Sequence, residues 1–252
     1  MIMLHGMSAD HRSIAGILEP VFQCRTGWKR IYPDLPGMGK TLGADWVKND
    51  DQMLEVILDF IDRLVPEKRF VVAGDSYGGY LARGVVCRKS LQMDGLLLIV
   101  PSIGKHAPPR SPPPQVTLVR DPKLLSELEE NDRELLSKLV VQSRRGWEYI
   151  RTYIQPGLAI ANNKFLERFK AEFSFDPDAP EHKFANPALI LLGRQDSVVG
   201  YRRAWDILEN YPRGTFVVLD RAGHGLGIPG EQDELFRVLV NEWIDRIEGN
   251  IE

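Results

Sequence analysis

Short apolar runs that stop at turn residues recur along the chain. Ile2–Leu4 stops at His5-Gly6, Arg30–Tyr32 at Pro33-Asp34-Leu35-Pro36-Gly37, and Phe70–Ala73 at Gly74. Gly95–Val100 stops at Pro101, Ala188–Leu192 at Gly193, and Thr215–Leu219 at Asp220. Runs of this length bounded by Gly and Pro predict strands covered on both faces, the condition of a parallel sheet. Between them the apolar positions shift to helical spacing. Met53, Leu54, Ile57, Phe60, Ile61 and Leu64 form one stripe and predict a helix over Asp51–Leu64. Leu235, Phe236, Leu239, Val240, Trp243 and Ile247 predict another over Gln232–Ile247. Strands alternating with helices imply an α/β fold, a mainly parallel sheet flanked by helices.

The alternation stops near Ser102 and resumes after Ala185. The interval opens on Pro108-Pro109-Arg110-Ser111-Pro112-Pro113-Pro114 and continues with helical patterns around Pro122–Gln142, Arg145–Ile154 and Leu158–Phe173. Residues 102–185 read as a helical insertion into a core made of 1–101 and 186–252, because an insertion returns the chain to the sheet it left. The other reading is a Pro-rich linker joining a separate helical domain.

Composition narrows the picture little. The 252 residues are 43% hydrophobic and 27% charged with a net charge of −3, which fits a globular domain and offers no basic face for nucleic acid. Apolar runs such as Leu96–Val100 fall far short of the roughly 18 residues of a membrane span. Met1-Ile2-Met3-Leu4 has no basic segment of the kind that opens a signal peptide. Cys24 and Cys87 cannot build a disulfide framework and are expected to be small buried hydrophobes in a reducing, cytoplasmic compartment. The expected partner is a small-molecule substrate; the sequence sets no oligomeric state.

Candidate chemistry centres on Gly74-Asp75-Ser76-Tyr77-Gly78. The pattern G-x-S-x-G marks a sharp turn from strand to helix that leaves the serine hydroxyl exposed. The bare pattern arises by chance in about one protein of this size in ten, so its setting matters. Here Phe70–Ala73 supplies the strand and Tyr80–Val86 a helix. A serine needs a base, and His224 in Ala222-Gly223-His224-Gly225, just beyond a strand, is placed to serve. Asp196 in Gly193-Arg194-Gln195-Asp196-Ser197 could orient that base, or could cap the helix that follows. Asp220 is a rival acid on the strand that delivers His224, and Asp176 and Asp178 fall in the insertion. An oxyanion hole would use the amide of Tyr77 and, from the loop after the first strand, the amide of Met7. His5 is expected to brace that loop rather than hold a metal, since no other metal-type residue neighbours it.

His5-Gly6-Met7, Asp34-Leu35-Pro36-Gly37-Met38-Gly39, Gly74-Asp75-Ser76-Tyr77-Gly78-Gly79, Gly193-Arg194-Gln195-Asp196 and Gly223-His224 stand in the order of the landmarks of α/β-hydrolases. The chain thus resembles that family over nearly its whole length, least across 102–185, where the family carries a variable cap. The resemblance implies an α/β-hydrolase fold with the cap over the site. It implies cofactor-free chemistry in which Ser76 attacks, a covalent intermediate forms and His224 activates water. It also implies two further strands before the one ending in His-Gly. Here His-Gly arrives at residue 5, so the sequence either starts inside the family frame or lacks that hairpin, and Arg30–Tyr32 should be an edge strand.

Within the family the layout is similar to capped esterases and to hydrolases that cleave carbon–carbon bonds in ring-fission products. The latter usually show a Gly-rich loop after His-Gly and a Trp soon after the histidine. Met7-Ser8-Ala9 and Gly225-Leu226-Gly227-Ile228 stand here instead, which favours ester cleavage. A Ser rather than Asp at the elbow departs from haloalkane dehalogenases and epoxide hydrolases. A non-catalytic ligand-binding member of the fold is the remaining alternative, and an intact Ser, His and Asp set argues against it. No paired His, Cys or carboxylate cluster shows metal-ligand spacing in the sequence. Chelation with EDTA should therefore leave hydrolytic activity unchanged; inactivation reversed by zinc or manganese would overturn a metal-free site.

Overall fold

The structure, a computed structural model, describes residues 1–104, 111–179 and 182–249. Pro108, Pro109 and Arg110 of the proline-rich loop lie outside the described residues. Five parallel strands form one sheet in sequence order: β1 (Ile2–Leu4), β2 (Phe70–Asp75), β3 (Met93–Ile99), β4 (Ala188–Gly193) and β5 (Gly214–Leu219). Each of five predicted runs became a strand. The sixth, Arg30–Tyr32, is reduced to a single bridge in which Ile31 pairs with Ile2. The Met3 amide donates to the Ile31 carbonyl and the Ile31 amide to Met1. Pro33 follows immediately and cannot donate, so the pairing ends there.

Residue alternation along the strands splits the core in two. Ile2, Leu4, Val72, Leu96, Leu98, Ile190 and Leu192 face one layer, with α2 (Asp50–Leu64) and α3 (Tyr77–Lys89) against them. Met3, Val71, Ala73, Leu97, Ile99, Leu189 and Leu191 face the other, which holds α1 (His11–Leu18) and the C-terminal helix Asp233–Glu248. Helix α2 begins where Asn49 accepts from the Gln52 amide, and its stripe Met53, Leu54, Ile57, Leu58 and Ile61 is buried. Each such side chain contributes roughly 1.5–3 kcal/mol on burial.

The stretch 102–185 contributes no strand to the sheet among its described residues. Its helices are shorter than the periodicity predicts: α4 (Pro122–Glu127), α5 (Glu130–Ser137), α6 (Arg144–Tyr149), α7 (Gln155–Ile160) and α8 (Asn163–Arg168). Between α6 and α7 the turn widens to a π-helical segment, Ile150–Ile154. Pro156 explains the change, because it offers no amide to the preceding turn. The C-terminal helix, α9, closes the chain.

These helices pack on the core. The Tyr149 hydroxyl donates to the Ser13 carbonyl at 2.5 Å, and the Asn162 amide donates to Gly37 at 2.9 Å. The cysteines depart from expectation. Cys24 is exposed, because it follows the surface turn Glu19–Phe22, and Cys87 is half-buried with its thiol on the Pro177 carbonyl. No helix among the described residues is long and apolar enough to cross a membrane.

Trp243 on α9 is wholly buried and its indole N–H donates to Pro187 at 3.1 Å. Trp243→Ala should cost about 3–5 kcal/mol of unfolding free energy, from the lost burial and the cavity left behind. Denaturant melts of the two proteins check it.

Candidate active site

The elbow is a problem of close approach. Ser76 sits at φ 51° and ψ −114°, a backbone conformation that costs on the order of 1–3 kcal/mol for a non-glycine residue. The chain turns this tightly only because its flanks carry no side chains. A Cβ on Gly78 would lie 2.1 Å from the Leu4 carbonyl oxygen, and one on Gly74 would lie 2.3 Å from the Gly78 oxygen. Hydrogen bonds to the end of β3 and the residues just beyond it hold the turn: the Ser76 amide donates to Ile99 at 2.9 Å and the Ser102 amide to Ser76 at 2.9 Å.

Three loops at the C-terminal ends of the strands converge there. His224 Nε2 lies 2.9 Å from Ser76 Oγ, and His224 Nδ1 lies 2.9 Å from Asp196 Oδ2. A neutral imidazole protonated at Nδ1 satisfies both contacts, donating to Asp196 and accepting from the serine hydroxyl. Asp196 Oδ1 accepts from the amides of Val198 and Val199 at 2.9 and 3.0 Å. Both roles open to Asp196 are thus filled at once: one oxygen caps the turn and the other faces the histidine. The Asp196 side chain is 1% exposed and that of His224 26%, so the acid is shielded while the imidazole remains open.

Burial alone would push the Asp196 carboxyl upward. The His224 hydrogen bond and charge, with the two amides, hold it below its ordinary value. Burial works against an imidazolium at His224, but the hydrogen bond and charge of Asp196 outweigh it and raise the His224 pKa.

The other expected residues fall as follows. Met7 and Tyr77 flank the elbow on the β1 loop and at the start of α3, and among the described residues neither amide donates a hydrogen bond within the chain. His5 is buried and braces the backbone: its Nδ1 meets the Gly6 carbonyl at 2.7 Å and its Nε2 accepts from the Leu35 amide at 3.0 Å. Asp220 is exposed and takes no part, and Asp178 instead pairs with the buried Arg83.

Three neighbours escape a reading of motifs. Asp50, wholly buried, accepts from the Tyr77 hydroxyl at 2.7 Å and from the Ser174 amide, so it anchors the residue after Ser76. Glu231, also wholly buried, accepts from the Gly223 amide at 2.9 Å and from the Val140 amide. One carboxylate therefore ties the histidine loop to the 102–185 stretch. The third is Asp75, partly buried beside the serine. A buried acid at a helix start or seven residues past the histidine leaves no signature in spacing. The fold also gathers Asp10, His11 and Asp34, whose ligand atoms lie within 4.8 Å of one another. Those atoms are engaged: His11 Nδ1 and the His11 and Lys40 amides meet Asp34, and Arg12 pairs with Asp10.

A parallel sheet with a serine at the turn after an interior strand, and an acid and a histidine on later strand ends, defines a class. The family model of the alpha/beta hydrolase family matches residues 1–238, and the chain belongs to that family, a family of hydrolases. Among solved structures, an alpha/beta superfamily hydrolase from Oenococcus oeni PSU-1 superposes with a TM-score of 0.88 at 28% identity, covering 98% of this chain and 92% of that one. A thermophilic esterase from Thermogutta terrifontis gives 0.69 at 20% identity over 98% and 89%. A meta-cleavage product hydrolase from Pseudomonas fluorescens IP01 gives 0.64 at 21% identity over 97% and 89%. No curated protein matches the sequence.

The raised His224 pKa has a direct consequence. A histidine that serves as base must be neutral to accept a proton, so with His224 in that role activity would be lost as pH falls through that pKa. The acid limb of kcat/KM should therefore lie above the ordinary histidine value of about 6.5. Asp196→Asn removes the group that raises it and should lower kcat on the order of 10⁴-fold. A pH–rate profile of the wild type, with kcat of the variant at its optimum, checks both.

Proposed function

We propose that this hydrolase cleaves a small carboxylic ester or related acyl compound through Ser76, His224 and Asp196. The observation that carries the reading is the unbroken run of hydrogen bonds from Ser76 Oγ through His224 to Asp196. As the Oγ attacks the carbonyl carbon, His224 Nε2 takes the hydroxyl proton. The carbonyl oxygen becomes an oxyanion, and the Met7 and Tyr77 amides, free of partners among the described residues, donate to it. His224 then passes its proton to the leaving alkoxide, and the alcohol departs from an acyl-Ser76. Water gives a proton to His224 and its oxygen attacks the acyl carbon. Collapse returns the proton to Ser76 and releases the carboxylic acid. Throughout, Nδ1–H stays with Asp196, which stabilises the imidazolium and keeps the ring aligned.

In this reading the helices of 102–185 act as a lid. The Tyr149–Ser13 and Glu231–Val140 hydrogen bonds hold part of the insertion against α1 and the histidine loop. A cover at this edge excludes water and strengthens the electrostatics around the oxyanion. The likeness to the meta-cleavage product hydrolase extends to fold alone, and no residue of the site favours carbon–carbon cleavage over ester cleavage.

Ser76→Ala should lower turnover of short p-nitrophenyl esters by about 10⁴-fold or more while circular dichroism stays unchanged, since the lost hydroxyl fills no core space. A fluorophosphonate should label the wild type and not the variant. Retained turnover in a folded variant overturns the assignment.

A further inference from the structure

Asp75 is a carboxylate that the fold does not need. The elbow pattern leaves the residue before the serine open, so nothing in the turn demands an acid there. The strand period puts Asp75 on the face of Val71 and Ala73, the apolar layer of α1 and α9. At that end of the sheet the side chain reaches the loop after β1. A point one Cβ bond from Gly6 lies 3.3 Å from Asp75 Oδ2 and 3.3 Å from Ser76 Cβ, so the carboxylate and the nucleophile flank the same glycine. Among the described residues no hydrogen bond or ion pair reaches Asp75. The titratable groups that act on it are His224 from the loop after β5, Asp196 from the loop after β4 and the Tyr149 phenol from α6. None of them donates to it.

An unpaired carboxylate in a partly buried setting is costly, and one beside a forming oxyanion opposes the reaction. Both costs vanish if the substrate brings the missing charge. We infer that Asp75 is a specificity-determining residue that pairs with a cationic group, an ammonium or quaternary nitrogen, carried by the substrate close to its scissile carbonyl. This rests on the ester-hydrolase reading above and names the substrate class of the same site. Burial, the largest influence, pushes the Asp75 carboxyl up to about 6, with His224 opposing and Asp196 adding to the rise. The charge that pairs with the cation is therefore present at neutral pH and lost just below it.

The test uses the full chain and matched pairs of esters: acetylcholine with its uncharged carbon isostere, and ethyl β-alaninate with ethyl butyrate. The first pair puts the cation on the alcohol, the second on the acyl group. The wild type should prefer the cationic member of at least one pair by about tenfold or more in kcat/KM, the equivalent of ~1.4 kcal/mol. That preference should fade as pH falls through about 6. Asp75→Asn, nearly isosteric, should abolish the preference and raise kcat/KM for the neutral ester, which a merely structural role would not do. Labelling rates of Ser76 by a choline-bearing phosphonate and by its uncharged isostere give the same ratio without turnover. Equal rates within every pair, or a preference that survives Asp75→Asn, overturn the inference while leaving the ester reading intact. Labelling with the predicted charge preference but no ester turnover supports the role of Asp75 and overturns ester cleavage. Absence of both labelling and turnover overturns the two together.

Discussion

The approach of the serine turn to the backbone of β1 is the constraint on which the rest of the site depends. Ser76 holds a left-handed φ of 51°, and Gly78 sits so near Leu4 that any Cβ would overlap the carbonyl oxygen. That contact presses the elbow against the strand whose following loop carries Met7. It therefore sets the distance between two amides that come from parts of the chain seventy residues apart. A looser turn would relieve the strain, on the order of 1–3 kcal/mol, and lose the alignment. The buried core on both faces of the sheet supplies the free energy that keeps the strained conformer populated.

Around the elbow, carboxylates do several different jobs, and their surroundings decide which. Asp196 is shielded but surrounded by donors, two amides and an imidazole, which hold its carboxyl below the ordinary value and align the His224 ring. Asp50 and Glu231 are wholly buried and accept from groups on separate segments, so they act as fasteners. Glu231 couples the His224 loop to Val140 of the 102–185 stretch, which makes the position of the imidazole sensitive to how those helices pack. Among the described carboxylates around the elbow, Asp75 alone finds no donor for its side chain, and that contrast, rather than its mere presence, marks it as a group awaiting a partner. Buried polar groups are otherwise satisfied as a rule, and exceptions gather at functional sites.

Much of this was legible in the residues. Four buried strands and a half-buried fifth, the helices Asp50–Leu64 and Asp233–Glu248 and the elbow follow from apolar runs, periodicity and glycine placement. These are local properties, because a strand covered on both faces must be apolar throughout and a tight turn must lack side chains. The order Ser, Asp, His was readable too, since each residue stands just past a strand and parallel strands deliver their ends to one edge. Reading failed where a local preference met a tertiary demand. The long helical patterns of 102–185 broke at Leu128 and at Ala161-Asn162, where one short helix ends and the next begins. Cys24 looked like a core residue and lies on the surface, because a single small residue carries no periodic signal.

What the sequence determined alone is the class of fold and the candidate trio Ser76, Asp196 and His224, for both are written in short-range patterns. What only the tertiary structure decided is the set of pairings. That His224 meets Ser76 at 2.9 Å, that His5 spans Gly6 and Leu35, that Glu231 reaches Val140 and that Asp75 reaches no donor are facts about segments distant in the chain. Hydrogen bonds are directional and short-ranged, so tenths of an ångström separate a paired group from an unpaired one. Spacing along a chain carries no information at that scale; only packing of the whole core sets it.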